Sequence, residues 1–156
     1  MKINQDFLKA ILPTLLELKN KLKGDFVVFG SAPLYLLGIL EFKKLNDLDI
    51  AIKDEFAIPK EAELVIFAND QRQKLYKLQI GDIKVDIGPA WPGREDIFKR
   101  IFQNPTIISG IKFANLGIVQ EWKELMVKEY GREKDKEHLE KIRKYKENLT
   151  RIDQRV

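Results

Sequence analysis

Two aspartates one residue apart, in a short strand that follows a Gly-Ser turn, constrain this chain more than any other feature. The stretch runs Val27-Val28-Phe29-Gly30-Ser31, continues through an apolar segment to Leu40, and reaches Asn46-Asp47-Leu48-Asp49-Ile50-Ala51-Ile52. Phe26 to Phe29 is apolar at every position, the pattern of a strand covered on both faces. Residues i and i+2 of a strand share a face, so Asp47 and Asp49 project together while Leu48 and Ile50 enter the core. Two carboxylates about 6.5–7 Å apart on one strand face repel each other unless a cation or water lies between them. That arrangement suits a hard divalent ion such as Mg²⁺, which takes oxygen ligands. Ser31 is placed to cap a helix with Pro33 in its first turn, running to about Leu40. Gly30 permits a close backbone approach, and the exposed N–H groups of a helix start suit a phosphate.

The rest of the chain alternates helix and strand. Residues 5–22 place Phe7, Leu8, Ile11, Leu15, Leu16 and Leu22 at three- and four-residue spacing, which predicts an amphipathic helix capped by Asn4 or Asp6 and followed by Gly24. The segment from Lys53 to Asp70 stays open between helix and strand, because Pro59 to Glu63 looks like a helix start and Leu64 to Phe67 looks extended. Leu75 to Ile80 and Ile83 to Ile87 flank Gly81-Asp82, a two-residue hairpin connection. Alternation in the second of these puts Lys84 and Asp86 on one face and Val85 and Ile87 on the other. Aspartate is depleted in strands, so Asp86 between Val85 and Ile87 asks for a reason. A neighbouring strand lies about 4.8 Å away, within reach of Asp47 and Asp49. Trp91, in the loop Gly88 to Gly93, is expected to fill the core rather than stack on a base. Helices are predicted at 94–102, 116–128 and 133–149, with a strand at 106–114 interrupted at Gly110. His138, the lone histidine, lies among charges on the last helix, which argues against a histidine triad or a zinc site.

Composition narrows the function classes. Hydrophobic residues make up 44% and charged residues 33%, as in a soluble globular protein. No apolar run reaches the 18 or so residues of a membrane span, so no membrane partner is expected. There is no cysteine, which removes disulfides and thiolate metal sites and fits a cytoplasmic protein. The net charge of +4 permits a phosphate-bearing partner without demanding one. Neither GxxxxGK[ST] nor GxGxxG occurs, which argues against the common ATPase and dinucleotide-binding readings.

The ordered set of Gly30-Ser31, Asp47-Leu48-Asp49, Asp86 and Gly131-Arg132-Glu133-Lys134-Asp135 resembles the nucleotidyltransferase superfamily that includes DNA polymerase β. In that family a Gly-Ser or Gly-Gly turn leads into a helix, an Asp-x-Asp strand follows, and a later strand supplies a third carboxylate. The last segment is similar to the Gly-Arg-x-Lys-Asp of small stand-alone members. The resemblance implies an α/β (α+β) fold: a small mixed sheet flanked by helices, with helical N- and C-terminal segments. It also implies one domain over residues 1–156, with a core at about 24–115 and a C-terminal helical segment at about 116–150.

In function, the resemblance implies transfer of a nucleoside monophosphate from a nucleoside triphosphate to an acceptor hydroxyl. Asp47, Asp49 and Asp86 would be both catalytic and metal-binding, holding two Mg²⁺ ions, with Mn²⁺ as a substitute. Gly30, Ser31, Lys43, Arg132 and Lys134 would bind the nucleotide. Lys43 and Leu45 stand where small relatives carry Arg and Thr, so Lys43 offers a point charge in place of a planar fork. Lys128 lies one residue nearer Arg132 than in relatives. The acceptor stays open among a protein, RNA and a small molecule such as an aminoglycoside. The alternative is a catalytically silent module of the same fold that binds a nucleotide or a protein partner, for example in a toxin–antitoxin pair.

Overall fold

Strand parity in the centre of this chain is set by two separate apolar clusters, one on each face of a single sheet. The computed structural model describes residues 2–68 and 70–154. In chain order the elements are α1 (Gln5–Lys21), β1 (Phe26–Phe29), α2 (Ala32–Leu36), β2 (Asp47–Ile52), β3 (Glu63–Phe67), β4 (Asp70–Ile80) and β5 (Ile83–Gly88), then α3 (Glu95–Ile101), β6 (Thr106–Ile108), β7 (Ile111–Phe113), α4 (Leu116–Tyr130) and α5 (Glu133–Gln154). The seven strands form one mixed sheet in the order β3-β4-β5-β2-β1-β7-β6. The β2–β5 and β1–β7 pairs are parallel; β1–β2, β3–β4, β4–β5 and β6–β7 are antiparallel. This is the small mixed sheet with helices at both ends that the sequence implies.

On one face, Phe7, Ile11, Leu15 and Leu18 of α1 pack against Leu48, Ile50, Val85 and Ile87. On the other, Val27 and Ala51 pack against Ile97, Ile101, Ile118, Val119 and Ile142 of the last three helices. Each fully buried aliphatic side chain contributes roughly 1.5–3 kcal/mol. Sliding β2 by one residue would drive Asp47 and Asp49 into the α1 cluster and expose Leu48 and Ile50, so the register is strongly determined.

The boundaries differ from the sequence expectation at several elements. α2 stops at Leu36 rather than about Leu40, because Gly38 takes a left-handed φ of 73°. The Gly38 and Ile39 amides then donate to the carbonyls of Tyr35 and Leu34, a Schellman closure. Leu64 to Phe67 is a strand at the sheet edge, paired along β4, and β4 starts earlier than Leu75 to accompany it. Thr106 to Phe113 is a hairpin turning at Ser109-Gly110, so β7 can reach β1. α5 continues past Leu149 to Gln154. Pro13 sits inside α1 at an exposed position, where water can satisfy the carbonyl it leaves without a donor. Asn4 caps α1 by accepting from the Phe7 amide at 3.1 Å.

Candidate functional site

Parallel pairing of β2 with β5 sets Asp49 directly beside Asp86 and Asp47 beside Lys84. Paired residues face the same way, so all three acids share one sheet face. On the other side of Asp49, the antiparallel β1 places Phe29. Asp47 is exposed, at the mouth of the strand, while Asp49 and Asp86 are half-buried. Lys77, opposite Asp86 on β4, holds its Nζ 3.6 Å from Asp86 Oδ1. Burial raises the Asp49 pKa from its ordinary 3.8 to about 6, and the charges of Asp86 and then Asp47 push it the same way. Lys123 and Lys134 partly offset that rise.

Gly30 is forced by the same geometry. Its φ is +72°, a left-handed conformation that side chains resist. A Cβ there would stand 3.2 Å from Asp49 Cγ and closer still to Oδ2. The turn backbone therefore lies directly on the Asp49 carboxylate. Ser31 follows, its side chain making no cap bond. Across from this turn lie Lys123, Arg132, Lys134 and Asp135, enclosing with Gly30, Ser31 and Asp49 a cavity of about 310 Å³. The structure thus gathers Gly30, Ser31, Asp49, Arg132 and Lys134 around one space. Lys43 is not among them. It is exposed and lines a separate cleft with Phe42, Leu45, Ile80 and Asp82.

Lys123 escapes a motif search. It occupies the apolar stripe of α4, between Val119 and Met126, and is only 4% exposed. Its ammonium donates to Asp135 Oδ1 at 3.1 Å, and Arg132 Nη1 stands 3.7 Å from Oδ2. Burial lowers the Lys123 pKa, with Asp135 opposing the shift. Lys128, by contrast, is exposed. His138 also departs from the expectation of a histidine among solvated charges: it is 7% exposed, on the α5 stripe that runs from Asp135 through Ile142. Desolvation lowers its pKa to about 4, and the charges of Lys123 and Lys134 add to the effect. It is held neutral, and its Nδ1 and Asp135 Oδ2 find no hydrogen-bond partner among the described residues. A lysine in one apolar stripe and an Asp and a His in the next were the available signals.

A second cavity, of about 140 Å³, opens on the Asp86 side of Asp49. Its walls include Phe29, Leu75, Trp91 and Trp122. Trp91 packs its ring 4.8 Å from Phe29, 4.7 Å from Trp122 and 5.5 Å from Phe98, centroid to centroid. It lies over Gly88, where a Cβ would approach its Nε1 to 2.8 Å.

The donor chemistry fits a hard divalent cation: three carboxylates on one face, with mutual repulsion already registered at Asp49. Among the described residues, no three Asp, Glu or His side chains are gathered closely enough to hold an ion as they stand. Asp86 pairs with Lys77 and Asp47 is exposed, so both would turn toward Asp49 to share one.

No family model and no curated protein matches this chain. Among solved structures, it is similar to an antigenic nucleotidyltransferase-like protein from Paracoccidioides brasiliensis, with a TM-score of 0.51 and 17% identity. The match covers 90% of this chain and 75% of that one. At that identity the likeness bears on architecture. This chain has a nucleotidyltransferase-like fold.

Proposed function

We propose that the protein is a small metal-dependent nucleotidyltransferase that moves a nucleoside monophosphate from a nucleoside triphosphate to an acceptor hydroxyl. One observation carries the reading: the Gly30 turn lies against Asp49 and faces a wall of Lys123, Arg132 and Lys134 across one cavity. A triphosphate needs an oxygen-ligated metal at one edge and cations along the other. In this reading Gly30 and Ser31 seat the outer phosphates, and Arg132 and Lys134 neutralise the departing pyrophosphate. Lys123 is buried and paired with Asp135, and low polarity around it strengthens its pull on a phosphate oxygen. Asp47, Asp49 and Asp86 would hold Mg²⁺ or Mn²⁺, which neutralises triphosphate charge and organises the leaving group. Asp86 is placed to take the acceptor's proton, directly or through water. No helix among the described residues is long and apolar enough to cross a membrane, and we place the protein in the cytoplasm as one domain.

The competing reading is a nucleotide- or partner-binding module without turnover. The ungathered acids favour it, as does Lys43 lying in a separate cleft. The two separate at Asp86. Labelled-nucleotide incorporation in lysate should fall at least about 10²-fold in Asp86→Asn, the lower range for losing a general base, while nucleotide affinity stays near wild type. Wild-type binding without transfer to any acceptor, unchanged in Asp86→Asn, would install the module reading.

A further inference from the structure

β3 ends the sheet, and among the described residues no strand lies beyond its outer backbone N–H and C=O groups. It reads Glu63-Leu64-Val65-Ile66-Phe67, apolar at every position after the first. Open edges are ordinarily blunted by lysine, proline or extreme shortness. β6, at the far edge, is only three residues long. β3 carries neither lysine nor proline, and its one irregularity is a register shift at Ile66–Phe67. Nine large apolar side chains are exposed among the described residues, and four of them gather at this corner: Phe56, Leu64, Ile66 and Phe67. Phe56 is 98% exposed. Glu55, just before it, accepts from Tyr76 Oη at 2.7 Å and from Lys74 Nζ at 3.2 Å. Tyr76 and Lys74 are the cross-strand partners of Leu64 and Ile66, so the Phe56 turn sits beside those two residues on the sheet face that carries α1. Single exposed apolar residues are ordinary, but a group of them along an open strand edge marks an interface.

We propose that the β3 edge is a self-association surface, and that its occupant is β3 of a second copy of this chain, paired antiparallel about Val65. A two-fold axis perpendicular to the sheet makes that contact isologous. Val65 then faces its own counterpart, Leu64 faces the second copy's Ile66, and Glu63 faces the second copy's Phe67. The three central pairs are apolar on both sides, the kind of cross-strand pair that stabilises a sheet. Charge also favours a second copy. Glu63 is the only charged residue of β3, and the two-fold sends the two copies of it to opposite ends of the seam. Four residues separate them, about 14 Å of strand, which exceeds a Debye length of about 8–10 Å. No like charges stand opposite each other, so the strand is complementary to itself. Paired residues face the same way. The two seven-stranded sheets therefore become one, with both sets of Asp47, Asp49 and Asp86 on one side and both α1 helices on the other. A standard interface engages about 20–30 residues a side, and this seam centres on a five-residue strand, so the dimer belongs to the weak, concentration-dependent class.

The chain has no cysteine, so Val65→Cys introduces a single thiol at the proposed axis. Directly opposed residues of an antiparallel pair have Cα atoms about 4.5–5.5 Å apart, inside the range that a disulfide bridges. Under mild oxidation of the whole chain, Val65→Cys should form a covalent dimer at least about tenfold faster than Glu63→Cys, whose two thiols would stand about 14 Å apart. Sedimentation equilibrium, without oxidant, should show wild type passing from monomer to dimer between about 10 µM and 1 mM. Leu64→Lys with Ile66→Lys sets like charges across the seam and should abolish the dimer, whereas Leu64→Lys with Ile66→Glu sets opposite charges across the same pairs and should restore it. Both positions are exposed, so the fold should persist, and far-ultraviolet circular dichroism with urea midpoints checks that. Wild type that stays monomeric to about 1 mM overturns the proposal and leaves the edge to an extended segment of another protein. Equal crosslinking of the two cysteine variants overturns the Val65 register. A dimer untouched by the paired lysines places self-association on another face, and growth beyond a dimer contradicts a closed two-fold contact. Each of these outcomes overturns the proposal, while the nucleotide reading stands independently of all of them.

Discussion

A methyl group at Gly30 would meet Asp49 before anything else. Two costs therefore separate in Gly30→Ala. The left-handed backbone costs about 1–2 kcal/mol for any side chain, and displacement of the carboxylate adds to it. In an Asp49→Ala background the carboxylate clash is gone and only the backbone cost and a 3.3 Å approach to the Cβ of residue 49 remain, so the two substitutions should couple in a urea-denaturation cycle. Additive effects would mean that the turn does not lie on Asp49. A second residue-scale test uses proton linkage. Folded Asp49 holds its proton up to about pH 6, the unfolded carboxyl only to near 3.8. The folded state thus binds more protons in that window, and this group adds stability as pH falls through it. His138 acts in the opposite sense: the unfolded imidazole takes its proton near 6.5, the folded one only near 4, so stability is lost as pH falls. The metal-free wild type should be nearly flat in these two contributions. Relative to it, His138→Gln should gain stability from pH 6.5 to 4.5, and Asp49→Asn should lose it. Urea midpoints at the two pH values read both, and equal slopes in all three proteins would count against the burial of both groups.

Among the elements, β2 and β5 were the most legible, because period-two alternation fixes parity and the parity of Asp47, Asp49 and Asp86 survives pairing. Their adjacency is a tertiary fact, and the resemblance rather than alternation supplied it. Helix α1 was legible from its apolar spacing and the Asn4 cap, and the Gly81-Asp82 turn from its two-residue connection. Three features were not. The edge strand β3 carries no clean alternation because Leu64, Ile66 and Phe67 are all solvent-exposed. The end of α2 depended on which glycine would adopt positive φ. Most consequentially, His138 read as one of the charged-face residues and Lys123 carried no signal of its own, and composition alone does not pair Lys123 with Asp135. That seam makes its own prediction. Asp135→Asn leaves a desolvated ammonium without its counter-charge and should cost about 3–5 kcal/mol, whereas Lys123→Met with Asp135→Leu should fall near wild type or above it. Chemical denaturation measures both, and a loss under about 1 kcal/mol for the single variant, the range of exposed pairs, would place the pair in water.

At the scale of the whole molecule, one sheet presents carboxylates on its inner strands while α4 and α5 close a cationic wall over the Gly30 turn, so a bound triphosphate would bridge the two halves of the fold. Such a ligand binds the native state alone and raises Tm through mass action. Metal and triphosphate would share oxygen ligands at the proposed site. Mg²⁺ with a nucleoside triphosphate should therefore raise Tm by more than the sum of the two separate shifts, and an additive result would speak against a joint site. The most direct measurement is calorimetric titration of a nucleoside triphosphate into wild type and Asp49→Asn, each with and without Mg²⁺. The expected result is binding to wild type that strengthens with Mg²⁺, and loss of most of that metal-dependent gain in Asp49→Asn. Triphosphate binding that is indifferent both to Mg²⁺ and to Asp49, or no binding at all, would contradict the proposed site.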